Sequence, residues 1–260
     1  MSLLVGVALL PVLCLWEFKY ATVPLAPRRF FANRNIIASV SITFVDFISF
    51  YIVYVYQYSF IAIVKTGAWT PRSQSYFSQT MTIALCVFSI PTGMYMAWTR
   101  RYKWLTVFGL IIRLLGCGIM IKSRGAHGTD FELVVCQLLQ GLGGAIAAIT
   151  CGVASQAGVT HSDVGTVTAL VLLFGGVGNS IGSTISTAIW VNEYPGALQK
   201  HIGGLAGVNQ TLIDTIYAMP TTVAEYALDD PIRLGVTDAV SSVMKVSLPP
   251  FPNLLYLEPD

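Results

Sequence analysis

From Ile36 to Val64 the only charged residue is Asp46. A helix of that length runs about 44 Å at 1.5 Å per residue, more than the roughly 30 Å of a bilayer's hydrocarbon core. An ionisable group at such depth costs a few kcal/mol or more, so it faces a bundle interior or a water-filled cavity rather than lipid. The run therefore reads as a membrane-spanning helix with one polar stripe, the wall of a transport pathway.

Composition supports the same class. Hydrophobic residues make up 54% and charged residues 11%, about half the charge of an ordinary soluble domain, so a soluble fold would lack its charged shell. The net charge of +2 comes with no basic stripe, which excludes nucleic acid as a partner. Cys14, Cys86, Cys117, Cys136 and Cys151 lie in or beside apolar runs without a C-x-x-C pair, and read as small buried hydrophobes. His127, His161 and His201 have no cysteine or carboxylate at ligand spacing, so neither a metal nor another cofactor is expected.

The fold expected is all-α and transmembrane, with about six spans. Residues 2–16 are apolar but short. They fit a signal peptide or the stub of a truncated span, and the second is favoured because no basic residue precedes the run and Trp16-Glu17-Phe18 follows it. Spans are then predicted at 36–64, 77–98, 105–121, 131–155 and 166–190. After Val191 a long polar segment without a further span is expected to residue 245, ending in a proline-rich tail over 246–260. Lysine and arginine are counted loop by loop. Lys19, Arg28, Arg29, Arg34, Arg100, Arg101 and Lys103 fall in one set of alternating loops, Lys65, Arg72, Lys122 and Arg124 in the other. The richer set is assigned to the cytoplasm, which puts 191–245 outside. Asn209-Gln210-Thr211 in that segment is a glycosylation acceptor triplet.

At 100° per residue Asp46, Phe50, Val53 and Gln57 share one helix face, with Tyr54 at its flank and Tyr51 and Tyr58 beyond. One acid, one amide and several phenols suit a polar ligand with carbonyl, hydroxamate or amide groups and an apolar body. The plainer reading places the tyrosines in an interfacial aromatic belt. Arg113 is the other charge deep in a span, expected either to snorkel or to pair with a carboxylate such as Asp46. Gln137, Gln140, Gly141 and Gly144 share a face of the 131–155 span, and Gly178 and Gly182 stand at small-x-x-x-small spacing in the next. Such spacing lets helix backbones approach closely. No G-x-x-x-x-G-K-[ST] loop occurs and no nucleophile, base and orienting group form a recognisable set, so neither an ATP-driven pump nor an enzyme is indicated.

Several separated motifs carry a resemblance. Arg101-Tyr-Lys-Trp-Leu-Thr-Val-Phe-Gly109, the run from Gly116 to Arg124, Gln140-Gly-Leu-Gly-Gly144, His161-Ser-Asp-Val164 and Gly178-Asn-Ser-Ile-Gly-Ser183 resemble the fungal siderophore-iron transporters of the major facilitator superfamily. The likeness covers about residues 20–245. It implies a C-terminal lobe of a carrier that imports ferric siderophores with protons, in the plasma membrane or an endosomal or vacuolar membrane. It also implies that Arg100, Arg101 and Lys103 form the superfamily's cytoplasmic gating loop. The sequence departs from the pattern in lacking the N-terminal lobe and the final span. On that reading it is a fragment, inactive alone, whose partners are the bilayer and a missing lobe or full-length relative. A drug/proton antiporter of the same superfamily and a non-transporting membrane protein that binds a full-length relative are the alternatives.

Overall fold

The computed structural model describes residues 28–65, 67–123, 129–205, 208–219, 222–223, 226 and 230–246, with isolated positions from 9 to 20. The apolar stub at 2–16 and the proline-rich tail fall essentially outside these. Among the described residues the fold is helical: α1 (Arg28–Ala32), α2 (Arg34–Tyr54), α3 (Gln57–Val64), α4 (Pro71–Thr99), α5 (Lys103–Ser123), α6 (Asp130–Gln156), a 3-10 turn (His161–Asp163), α7 (Val164–Ile202), α8 (Gln210–Ala218) and α9 (Pro231–Val246). Five segments are long and apolar enough to cross a membrane: α2 with α3, α4, α5, α6, and the 3-10 turn with α7.

Local chemistry sets the helix ends. The Asn33 side chain accepts from the Asn35 backbone N–H to open α2. Thr70 caps α4 and Pro71 stands at its first position, where a missing N–H costs nothing. Helix α4 closes on Arg100 in the left-handed region, φ 52°. A reciprocal capping box between Thr129 and Glu132 opens α6, with Asp130 and Glu132 favourable to the helix dipole in the first turn.

Helix α6 is the inner member of the bundle, with α2, α4, α5 and α7 packed around it. Close approach depends on absent side chains. A Cβ added to Gly141 would lie 2.5 Å from Ala84 Cβ and 2.8 Å from Met81 O on α4. On the other flank, α2 and α7 cross where a Cβ on Gly178 would lie 2.5 Å from Phe44 O, and one on Gly182 2.6 Å from Ile48 O. Ile83, Val87, Ile90, Met94 and Leu115 are exposed on the bundle surface, the inverse of a soluble surface and the arrangement a lipid solvent requires.

Two boundaries differ from the sequence expectation. The 36–64 span is not one helix, because α2 ends at Tyr54 and α3 restarts at Gln57. Only Val55 and Tyr56 lie between them. At the break the Tyr56 ring stacks on Trp190 of α7, 4.4 Å between centroids and 3° from parallel. The second difference lies beyond Val191, where a polar segment was expected. Helix α7 runs on to Ile202 because Trp190, Tyr194, Leu198 and Ile202, spaced by four, form one buried stripe. Helices α8 and α9 pack on that extension. Val236, Ala239, Val240, Val243 and Met244 of α9 share a core with the stripe and with Phe60, Ile61 and Ile63 of α3. A helical cap thus covers one end of the bundle.

Ion pairs and hydrogen bonds tie each end. At the capped end Asp130 binds Lys65 at 2.7 Å and accepts from Trp69 Nε1 at 3.0 Å. At the opposite end Arg29 meets Asp163 at 2.6 Å, and Asn33 Nδ2 donates to Gly158 O.

Candidate functional site

The carboxylate of Asp46 on α2 and the guanidinium of Arg113 on α5 meet inside the bundle. Arg113 Nη1 donates to Asp46 Oδ2 at 2.8 Å, with the two side chains only 9% and 14% exposed. The guanidinium also sits 5.6 Å from the centre of the Phe50 ring, one turn along α2 from Asp46, within the range of a cation–π contact. Two charges at this depth are each tolerable because the other is present, and removing either leaves the remaining one uncompensated.

Gln140 of α6 holds the arginine's helix in register. Its Nε2 donates to Arg113 O at 3.3 Å and to Cys117 Sγ at 2.8 Å. Gly144, one turn along α6, gives room to the guanidinium, since a Cβ there would lie 3.0 Å from Arg113 Nη1. Gly143 does the same for the backbone, where a Cβ would stand 2.8 Å from Arg113 N.

Asp46 lines cavities on two sides. One, of about 450 Å³, lies between α2 and α5 and includes Ser41, Ser49, Leu110, Arg113 and Cys117 in its walls. The other, of about 160 Å³, lies between α2, α6 and α7 and includes Thr43, Cys151, Ser155, Thr168 and Gly175. A third space of about 10 Å³, walled by Phe50, Tyr54, Gln57, Arg113 and Gln140, sits next to the pair. A void of that size is on the order of one water, and Gln57 Nε2 beside it has no hydrogen-bond partner among the described residues.

The structure thus brings together Asp46, Phe50, Tyr54, Gln57, Arg113 and Gln140. Phe50 and Tyr54 stack at 5.0 Å. Gln137 is buried one turn before Gln140, with Oε1 unpartnered among the described residues. Tyr51 joins them at the flank, its Cβ beside Gly182 of α7 and its ring edge-on to Phe50 at 5.0 Å and to Tyr54 at 6.0 Å. Tyr58 is 55% exposed and stands outside the cluster. Arg100, Arg101 and Lys103 lie at the α4–α5 connection and Asn209 is the exposed N-cap of α8, all remote in the chain's layout from the buried pair. Sequence reasoning passed over Ser49 and Cys117. Each was accessible to it, because Ser49 is three residues from Asp46 and Cys117 four from Arg113, positions that share a helix face. Among the described residues no three of His, Cys, Asp and Glu cluster to hold a metal.

The chain is 31% identical over 242 residues to a low affinity heme transporter of Schizosaccharomyces pombe, covering 93% of this chain and 38% of that protein. It is 30% identical over 247 residues to a siderochrome iron transporter of the major facilitator superfamily from Ajellomyces capsulatus, 95% of this chain and 41% of the relative. With a siderophore transporter of Mycosarcoma maydis it shares 30% identity over 243 residues, 92% of this chain and 36% of the relative. No family model matches the chain and no solved structure matches it. The chain spans about two fifths of the length of these curated relatives. It is a multi-pass membrane protein whose relatives by sequence are fungal siderophore and heme iron transporters of the major facilitator superfamily, of which it matches a part.

Proposed function

We propose that the chain builds one lobe of an iron-chelate carrier, with α2 as the wall of the pathway and Asp46 as its titrating group. The observation that supports this most is the buried Asp46–Arg113 pair, held within apolar spans and flanked by cavities on two sides. In this reading the substrate is a ferric siderophore, whose own donor atoms hold the iron, so that the protein need supply no ligand set. In the wall of the larger cavity Ile42, Val45, Leu110 and Leu114 offer apolar surface to the body of the chelate, and Ser41, Ser49 and the Asp46–Arg113 pair offer polar groups to its carbonyl or hydroxamate edge, with Phe50, Tyr54, Gln57 and Gln140 packed behind the pair. Protonation of Asp46 would release the guanidinium of Arg113, which links proton entry to movement of α5 against α2.

A pathway of this kind lies between two lobes. The proposal therefore assigns the chain a partner lobe, and with it the expectation that the 260 residues expressed alone do not restore uptake. Fungal cells without their own iron-chelate carriers, supplied with the chain and with a separately expressed N-terminal lobe of a relative, test this with radio-iron in a hydroxamate siderophore and in hemin. Uptake of the siderophore by the pair, and not by either part alone, is the expected result. Uptake of hemin alone would assign the heme substrate named for one relative. Uptake of neither chelate by the assembled pair would overturn the reading.

The orientation that goes with it puts the α8–α9 cap outside and the α4–α5 connection in the cytoplasm, as the loop charges favour. Single cysteines at Ala218 and Ser162, both exposed and at opposite ends of the bundle, separate the two orientations. In intact cells an impermeant thiol reagent should modify the Ala218 position and spare Ser162. Asn209→Gln should also remove a glycan-dependent mobility shift. Modification confined to Ser162 would invert the topology.

A further inference from the structure

Helices α4 and α5 both pack on α6, and a groove of about 630 Å³ lies between them near their connection. Phe88 and Tyr95 of α4 and Trp104 and Phe108 of α5 form its walls, and Leu142 of α6 its floor. Arg101 is the one charged residue in the lining. Arg100 and Lys103 flank it, both exposed. None of the three makes an ion pair among the described residues, and the sequence holds no acidic residue between Asp46 and Asp130. Trp98 and Trp104, 85% and 75% exposed, bracket the connection at the ends of two membrane-length helices, the position in which indoles favour the headgroup region of a bilayer.

What fills such a groove must carry negative charge at one end and an apolar chain along the rest. We propose that it binds one anionic glycerophospholipid, with the phosphate at Arg101, Arg100 and Lys103 and an acyl chain between Tyr95, Phe88, Trp104 and Phe108. Charge complementarity selects the headgroup, because each Lys or Arg near an anionic surface is worth about fivefold in affinity. The groove selects the chain, because its lining apart from Arg101 is uncharged and Met94 and Trp98, on the same helix as its Tyr95 wall, are exposed. A zwitterionic lipid would satisfy the groove without satisfying the basic trio. Binding here is independent of the iron-chelate proposal, since the groove shares no residue with the walls around Asp46.

Photo-crosslinking of the purified full chain tests it, using vesicles with phosphatidylserine or phosphatidylcholine whose acyl chains carry the photoreactive group, and mapping adducts by peptide mass spectrometry. Adducts on the groove walls should form at least about fivefold more with phosphatidylserine. Arg100→Gln, Arg101→Gln and Lys103→Gln together should bring the two lipids within about twofold of each other. Leu142→Phe, or Thr92→Phe as an independent filling of the same space, should remove groove adducts from protein that still elutes as a single helical species. Equal labelling by both lipids overturns the proposal, as does a preference that survives neutralisation. Adducts that persist in both filled variants would show a surface lipid rather than a groove site. Absence of groove-wall adducts with either lipid would likewise overturn the proposal.

Discussion

Asp46→Asn should lower iron-chelate uptake by more than about tenfold in the assembled carrier while membrane abundance stays within about twofold. The asparagine oxygen can still accept from Arg113 Nη1, so the bridge from α2 to α5 keeps a hydrogen bond. What is lost is the capacity to exchange a proton. Asp46→Leu removes the acceptor as well and leaves Arg113 buried at 8% exposure without its counter-charge, so abundance and uptake should fall together. Arg113→Leu should be milder for abundance than Asp46→Leu, because a carboxyl left without its cation can neutralise itself by protonation whereas a guanidinium cannot. Uptake of the radio-iron chelate, measured beside immunoblots of the membrane fraction, separates these cases. Parallel loss of uptake and abundance in Asp46→Asn would reduce the aspartate to a structural role.

The crossing of α2 and α7 should be the most sensitive packing feature of the fold. A Cβ at Gly178 or Gly182 would meet the backbone carbonyl oxygen of Phe44 or Ile48 at 2.5 or 2.6 Å, and backbone cannot rotate away as a side chain can. Overpacking of this kind costs about 1–3 kcal/mol or more per site. Gly178→Leu combined with Gly182→Leu should therefore bring abundance below about a tenth of the unaltered protein's, whereas Gly93→Leu and Gly118→Leu, at positions where a Cβ meets nothing within 4 Å, should leave it nearly unchanged. Equal tolerance at both pairs, read by fluorescence-detected size exclusion, would mean that the helices do not cross at these glycines.

The spans were legible in the sequence because each is a long run with few charges, a property independent of tertiary contacts. Their ends were less so. Helix α7 carries Asn192, Glu193 and Lys200 exposed, His201 half-buried and Pro195 within it, so mean composition hides the stripe of Trp190, Tyr194, Leu198 and Ile202 that buries it. Helix α9 shows the same effect, its buried residues being spaced by three and four among polar neighbours. The break after Tyr54 left no mark, because the run is apolar on either side of it and a stack with Trp190, 134 residues from Tyr56 in the chain, accompanies the turn. At the site, depth alone flagged Asp46 and Arg113. Their pairing depends on how α2 and α5 are rotated about α6, which single-helix periodicity does not encode.

In the proposed function the space beside Asp46 is a solvated route for an iron chelate rather than a seam filled by lipid. Ser49 lines the 450 Å³ cavity together with the Asp46–Arg113 pair, and Ser49→Cys, in a carrier whose other cysteines are replaced, reports on it directly. A small hydrophilic thiol reagent should modify this cysteine in the assembled carrier, and the ferric siderophore should protect it where the iron-free siderophore does not. A cysteine that reacts only with membrane-soluble reagents, or that reacts equally with and without the ferric chelate, would contradict the account.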